Sequence, residues 1–381
     1  MTIFKSETHP SSDVRIGVVG YGAMGKAHAY AYTASPVMRA ARWRPHLTVI
    51  SGRHPEAVSA AATALGFDDW TTDWRAVVER PDVDVVDICL PPGLHAEVVE
   101  HAARSGKAIL CEKPLAVTLA AAESAAACVA ASGVLNAVCF NYRYLPAIAL
   151  MKELIADGEI GDVLLWRGTW LSDEFLDPGI PFDWRFDPGM GGTTIGDLGC
   201  HLVDLAQWMV GPVASVCAQS STFTSQRTDP NGGGLIPVLV DEASSALVRF
   251  SNGAAGVFEV ARTCARRPCD FTVEVNGTRG SVVFEYARLN ELRLGRSSDE
   301  EHLYGMRTIR AEHPTHPYAA NWWAIGQGVG YGASFVNLVG ELLAAWPDGP
   351  WAPGIDVGLS VQRVCDAMER SVVERGWVSL P

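Results

Sequence analysis

Between residues 15 and 140, short apolar runs at 15–19, 46–50, 83–90, 107–111 and 134–140 alternate with longer stretches of mixed polarity at 26–34, 56–65, 74–79, 94–105 and 119–131. The short runs read as buried strands and the longer stretches as helices, two of them stopped by Gly66 and Gly106. Regular alternation of this kind predicts an α/β domain over 14–141, a mostly parallel sheet with helices on both faces. Past residue 142 the pattern changes. Strand-like runs follow one another at 163–171, 213–222, 243–250, 254–261, 271–275 and 281–286, with Asn252-Gly253 and Asn276-Gly277 as turn signals. Few helices interrupt them, so 142–381 should hold a second, α+β domain whose large sheet has helices on one face only. The open face would be covered by another subunit. A last helix near 357–374 should return to the first domain.

One stretch carries a different periodicity. From Gly191 to Gly211-Pro212 the residues read as a helix begun by a glycine and threonine cluster. Asp197, His201, Asp204 and Trp208 then share one stripe, while Leu198, Leu202, Leu205 and Met209 form the apolar stripe that faces a core. A carboxylate one turn before an imidazole would orient the ring and stabilise its protonated form, as a general base near neutral pH requires.

The first strand runs directly into Gly20-Tyr21-Gly22-Ala23-Met24-Gly25 and then a helix. In strand, Gly-x-Gly-x-x-Gly, helix order, the first glycine permits a tight turn, the second lets backbone approach a pyrophosphate, and the third lets helix and strand pack closely. This is the pattern of a Rossmann dinucleotide-binding domain. At the end of its second strand, Ser51-Gly52-Arg53 offers no carboxylate for an adenosine ribose diol, and Arg53 suits a 2′-phosphate; NADP is favoured slightly over NAD. Ligands in such sheets bind outside the carboxyl ends of the strands, which adds Leu90, Pro91, Leu94 and His95 from one loop, and Glu112 and Lys113 from the next, to the cofactor-binding set. An ammonium at Lys113 would stabilise a developing alkoxide.

Composition narrows the setting. The chain has 381 residues, 48% apolar and 19% charged, enough for two cores. No run is long enough to span a membrane, and Met1 to Asp13 is polar, so a cytoplasmic protein is expected. A net charge of -13 argues against nucleic acid or an anionic membrane as partner. The nine cysteines include no Cys-x-x-Cys pair, so neither a disulfide framework nor a zinc site is indicated, and no metal is expected.

With Gly20-x-Gly22-x-x-Gly25-x-x-His28, Glu112-Lys113-Pro114 and Asp197-x-x-x-His201-x-x-Asp204 in this order, the chain resembles the glucose-fructose oxidoreductase, inositol dehydrogenase and rhizopine catabolism (Gfo/Idh/MocA) family over about 14–379. The resemblance implies an open-faced, mostly antiparallel second sheet, pairing of subunits through it into a homodimer or homotetramer, and a catalytic trio of Lys113, Asp197 and His201. Within the family the likeness is to cyclic-sugar dehydrogenases of the levoglucosan type. It rests on Asn141-Tyr142-Arg143, Arg167-Gly168-Thr169-Trp170, Trp184-Arg185-Phe186, His316-Pro317-Tyr318 and the glycine-rich run ending Tyr331-Gly332. Ser172 departs from that pattern. Tyr142, Arg143, Trp170, Asp183, Arg185 and Tyr331 are the substrate-pocket candidates, because cyclic polyols need hydrogen-bonding groups and flat apolar faces together.

The activity implied is reversible oxidation of a ring hydroxyl of an unphosphorylated sugar, inositol or glycoside to a ketone, with NAD or NADP taking the hydride. Two other readings stand beside it: a nucleotide-sensing regulator on the same fold, and a metal-dependent hydrolase built on Asp197, His201 and Asp204.

Overall fold

The computed structural model describes residues 12–381. Most of the polar segment 1–13 lies outside the described residues. Strands β1 (Ser12–Val19), β2 (Trp43–Ser51), β3 (Asp69–Thr71), β4 (Val85–Ile88), β5 (Ala108–Cys111) and β6 (Asn136–Val138) form one parallel sheet in the order β3-β2-β1-β4-β5-β6. That order reverses direction between β1 and β4, and the crevice above such a reversal is where doubly wound sheets take their ligands. Helices α1 (Ala23–Met38), α2 (Pro55–Leu65), α3 (Trp74–Glu79), α4 (His95–Arg104) and α5 (Leu119–Ser132) make the crossovers. Both faces of β4 and β5 and of the carboxyl halves of β1 and β2 are buried, which is why those stretches read as continuous apolar runs, while the edge strand β3 stays exposed.

The second sheet has nine strands. After helix α6 (Pro146–Ala156) come β7 (Val163–Leu171), helix α7 (Cys200–Met209), β8 (Val213–Ser221), and the small hairpin β9 (Gln226–Thr228) and β10 (Leu235–Pro237). β11 (Ala243–Phe250), β12 (Ala255–Ala261), β13 (Asp270–Gly277), β14 (Gly280–Glu285), β15 (Glu291–Arg296) and β16 (Arg307–Arg310) follow, then helices α8 (Gly332–Ala345) and α9 (Ile355–Glu374) and strand β17 (Val378–Ser379). The order is β16-β15-β14-β13-β7-β12-β11-β8-β17, antiparallel except between β7 and β12. One face buries Trp166, Phe258, Phe271, Val273 and Val275 against α6, α7 and α9. The other presents Leu165 and Arg167 of β7, Glu274 of β13 and Leu247 of β11, and Leu165 and Leu247 are each about half exposed.

Two departures from the sequence pattern matter. Helix α8 is apolar on nearly every side, so no amphipathic stripe announces it. Phe335, Val336, Leu338, Val339, Leu342 and Leu343 are buried in the same core as Val14, Ile16 and Val18 of β1 and Ala31 of α1. Helix α9 does return to the first domain, against α5, but it also packs on β8 and α7 and so ties the two sheets into one core. Among the described residues no helix is long and apolar enough to cross a membrane.

Candidate active site

The glycine loop is built as its spacing requires. Gly20 has φ +110°, and a Cβ there would meet the Cys89 carbonyl oxygen at 2.4 Å; a Cβ on Gly25 would meet the Gly20 carbonyl oxygen at 2.1 Å. Gly22 faces open space, and the first turn of α1 behind it has no side-chain cap. Unclaimed amides and room above them, at Gly22, Ala23 and Met24, fit a pyrophosphate. Tyr21 lies over Gly52, while Ser51 accepts the Gly20 N–H through its carbonyl. Arg53 is exposed beside them.

Three of the residues expected at the cofactor turn their side chains elsewhere. His95 is buried, its ring nitrogens 2.7 Å from the carbonyl oxygens of Pro114 and Leu90, so it ties the two loops together rather than facing the cleft. Glu112 points inward to His28 Nε2 at 3.0 Å and accepts the Lys113 backbone N–H at 3.0 Å. Leu90 contributes to the core. Beyond these loops, a Cβ on Gly93 would strike the Gly189 carbonyl and one on Gly191 would strike Pro92, so the cleft wall is made by direct contact between the two domains.

Lys113, at the end of β5, reaches across that contact. Its Nζ donates to the Asp197 carboxylate (Oδ1, 2.7 Å) and to the Asp197 carbonyl (2.7 Å). The other carboxylate oxygen accepts from Arg262 at 3.0 Å, and Arg262 also donates to the carbonyls of Gly192 (2.8 Å) and Thr193 (3.1 Å). Burial works against the charge on Asp197, but the Lys113 and Arg262 cations outweigh it and hold the carboxyl well below the usual range. By the same pairing, the Lys113 ammonium is held well above the ordinary lysine value despite its burial.

The segment 191–209 is not the single helix that its periodicity predicts. Gly191 has φ +86°, Gly192 is pressed against the Arg185 carbonyl, and a π-turn spans Ile195–Gly199 before α7 starts at Cys200. Thr194 is tied through its N–H and hydroxyl to Asp241, and Arg262 takes carbonyls that would open a regular first turn. A π-turn is wider than an α-turn, so the 197-to-201 spacing no longer stacks the two side chains. Asp197 therefore makes no hydrogen bond to His201 and does not orient its ring, contrary to the helical reading.

His201 instead sits in an aromatic box. Trp170 stacks on its ring (centroids 5.4 Å apart, planes at 26°), and Tyr142 and Phe140 meet it edge-on at 4.9 and 6.2 Å. Tyr142 also touches Tyr286 and Tyr331. Nδ1 is buried with no hydrogen-bond partner. Burial first, then the nearby Lys113 charge, push His201 well below its ordinary pKa, against a weaker opposing pull from Asp197, so the imidazole is neutral.

Of the other substrate-pocket candidates, Trp170, Tyr142 and Tyr331 converge here. Arg143 does not: it is bound bidentately by the buried Asp204 (2.8 and 2.5 Å) and stacks over Trp208. That pair takes Asp204 away from His201 as well. Asp183 accepts the Arg185 N–H at 2.8 Å and caps its own short turn, while the Arg185 guanidinium lies over Trp184 at the rim, with its charge felt at Asp197. Among the described residues, close groups of three ligand-type side chains lie only around His28, and Asp197, His201 and Asp204 form none, so the hydrolase reading finds no metal centre. Sequence reasoning missed Arg262. Its only signal is an arginine placed directly after the apolar run 254–261.

Residues 14–140 match the model of the oxidoreductase family with an NAD-binding Rossmann fold, and residues 148–283 match that of the GFO/IDH/MocA C-terminal domain. The chain belongs to the GFO/IDH/MocA oxidoreductase family. Levoglucosan dehydrogenase of Pseudarthrobacter phenanthrenivorans is 37% identical to it over 97% of this chain and 98% of that one. Inositol 2-dehydrogenase of Rhizobium meliloti is 27% identical over 96% and 99%. A solved structure of levoglucosan dehydrogenase in complex with NADH and levoglucosan superposes with a TM-score of 0.94 at 38% identity, covering 97% of this chain and 100% of that one. This member of the family is thus an oxidoreductase with an NAD-binding Rossmann domain.

Proposed function

We propose that the protein is an NAD(P)-dependent dehydrogenase that oxidises a ring hydroxyl of an unphosphorylated cyclic sugar or polyol to a ketone. The observation that carries this reading is the Lys113 ammonium fixed beside a neutral, aromatic-boxed His201. An ammonium has three N–H donors, and Asp197 occupies two, which leaves one to meet a substrate oxygen. His201 is neutral, with a lone pair available to take the hydroxyl proton, and the positive charge at Lys113 stabilises the alkoxide as it forms. The Trp170 and Tyr142 rings then surround the resulting imidazolium. When bound at the glycine loop, the nicotinamide accepts the hydride from the same carbon.

Asp197, clamped between two cations, is a positioning residue for Lys113 rather than the partner of His201. Substrate class follows from which charges are already committed. Arg143 is neutralised by Asp204 and Arg262 by Asp197, so the buried part of the site holds no spare guanidinium for a phosphate, while Tyr142, Trp170, Tyr286 and Tyr331 offer flat walls for a sugar ring. The likeness to levoglucosan dehydrogenase and inositol 2-dehydrogenase supports the same class. NAD is supported by the NADH held in the similar structure, and the exposed Arg53, with no acid at the end of β2, supports acceptance of NADP as well. Half-exposed Leu165 and Leu247 on the open sheet face support a second copy as its cover.

The test is nicotinamide reduction followed by absorbance, with NAD and NADP in parallel, across levoglucosan, inositols, free hexoses and a hexose phosphate. Turnover of a neutral ring and not of its phosphate is expected; turnover of the phosphate alone would sink the substrate assignment.

A further inference from the structure

The glycine motif is followed by His28, whose side chain no part of the proposed chemistry uses. It is buried between the ends of β4 and β5. Its Nδ1 lies 2.9 Å from both oxygens of Asp87, its Nε2 lies 3.0 Å from Glu112, and its ring packs against Phe335 of α8. A neutral imidazole has one N–H and would turn a lone pair towards one of the two carboxylates; only the doubly protonated ring satisfies both. The remaining groups that face it are uncharged at neutral pH: burial pushes the Cys139 thiol up to about 12 and raises Cys89 and Tyr32 well above their ordinary values. Burial alone would lower the His28 pKa, but the Asp87 charge foremost raises it well above the ordinary value.

Beyond His28 the contacts continue without a gap. Glu112 accepts the Lys113 backbone N–H, Lys113 Nζ binds Asp197, and Asp197 binds Arg262. Charges alternate along the whole line: Asp87 negative, His28 positive, Glu112 negative, Lys113 positive, Asp197 negative, Arg262 positive. We propose that His28 is a standing imidazolium that acts as a positioning residue: it holds Glu112, and through it the Lys113 backbone, and it balances the line that sets the proton affinity of the reacting groups. The inference rests on the role given above to Lys113. Loss of the imidazolium leaves two buried carboxylates facing each other behind Lys113, which raises proton affinity at Lys113 and His201.

Two measurements on the full chain test it. In protein carrying 15N-labelled histidine, the resonance pair absent from His28→Asn should keep the shifts of a doubly protonated ring up to pH 9. In kinetics, His28→Asn should lower kcat about tenfold with KM for the sugar within about twofold, and move the acid limb of the rate profile upward by about one pH unit. Glu112→Gln should move that limb the other way, and the double variant should return it to the wild-type position. A neutral His28 ring at pH 7, unmoved limbs, or a double-variant loss equal to the product of the single losses would each overturn the proposal. Melting temperature and NADH affinity report whether His28→Asn is folded; if it is not, Glu112→Gln alone decides the limb. Wild-type silence on every polyol would defeat the function proposed above, and the NMR result would still decide the state of His28.

Discussion

Asp197 and His201 stand four residues apart on one helical segment and occupy opposite surroundings. Asp197 lies in a charged seam, bridged by Lys113 and Arg262 and held ionised. His201 lies among Trp170, Tyr142 and Phe140, with an unpartnered Nδ1, and is held neutral. In the dehydrogenase reaction proposed above, the seam would supply fixed charge where negative charge develops, and the box would keep a base unprotonated until a substrate arrives. The segment separates these two tasks because a π-turn rotates Asp197 out of the stripe that His201 occupies.

The seam and the box make different demands, and substitutions should separate them. Lys113→Met removes the donor and the charge while keeping much of the length. It is expected to lower kcat about a thousandfold in the nicotinamide reduction assay. An unchanged kcat would remove Lys113 from the chemistry. His201→Asn is expected to lower kcat about a hundredfold and to abolish the acid limb of the rate profile, since no imidazole remains to titrate.

Trp170→Ala opens the box to water without touching the seam. Because burial is the first cause of the low His201 pKa, hydration should raise it towards 6.5, so the acid limb moves to higher pH, and KM for the sugar rises about tenfold through loss of the ring wall. A limb that stays in place would mean that the Lys113 charge, not the aromatic box, controls His201.

The smallest effect lies behind the seam, at Glu369 on α9, which accepts the Thr193 hydroxyl at 3.2 Å. Burial, with Asp241 and Asp366 nearby, raises its pKa from 4.5 to about 7. A raised carboxyl binds its proton more tightly in the folded state, so its contribution to stability is greatest below pH 4.5 and is lost as the pH rises to 7. Glu369→Gln should therefore stabilise the protein by about 2 kcal/mol in urea unfolding at pH 8.5 and have almost no effect at pH 4. Equal effects at both pH values would exclude titration as the cause.

Much of this molecule is written locally. The Rossmann half follows from short apolar runs, punctuating glycines and a loop in which Gly20, Gly22 and Gly25 each meet a distinct backbone demand, and Lys113 is visible as a lysine at the carboxyl end of a buried strand. Residues 191–209 mislead for a physical reason. Helical periodicity is a statement about an isolated segment, and it cannot register that Asp241 and Arg262, from distant loops, take the groups that would start a regular helix. Helix α8 escapes notice because burial on nearly all sides erases the contrast that periodicity needs.

By itself, then, the sequence determined the family, the two-sheet architecture, the cofactor loop and the identities of Lys113, Asp197 and His201 as the residues to watch. Only the tertiary structure decided how they are wired: that Asp197 pairs with Lys113, that Arg143 is bound by Asp204, and that His201 is surrounded by rings. Local turns and apolar runs depend on near neighbours, whereas the partner of a buried charge is whichever opposite charge the fold brings within 3 Å, here Lys113 to Asp197 across 84 positions of chain.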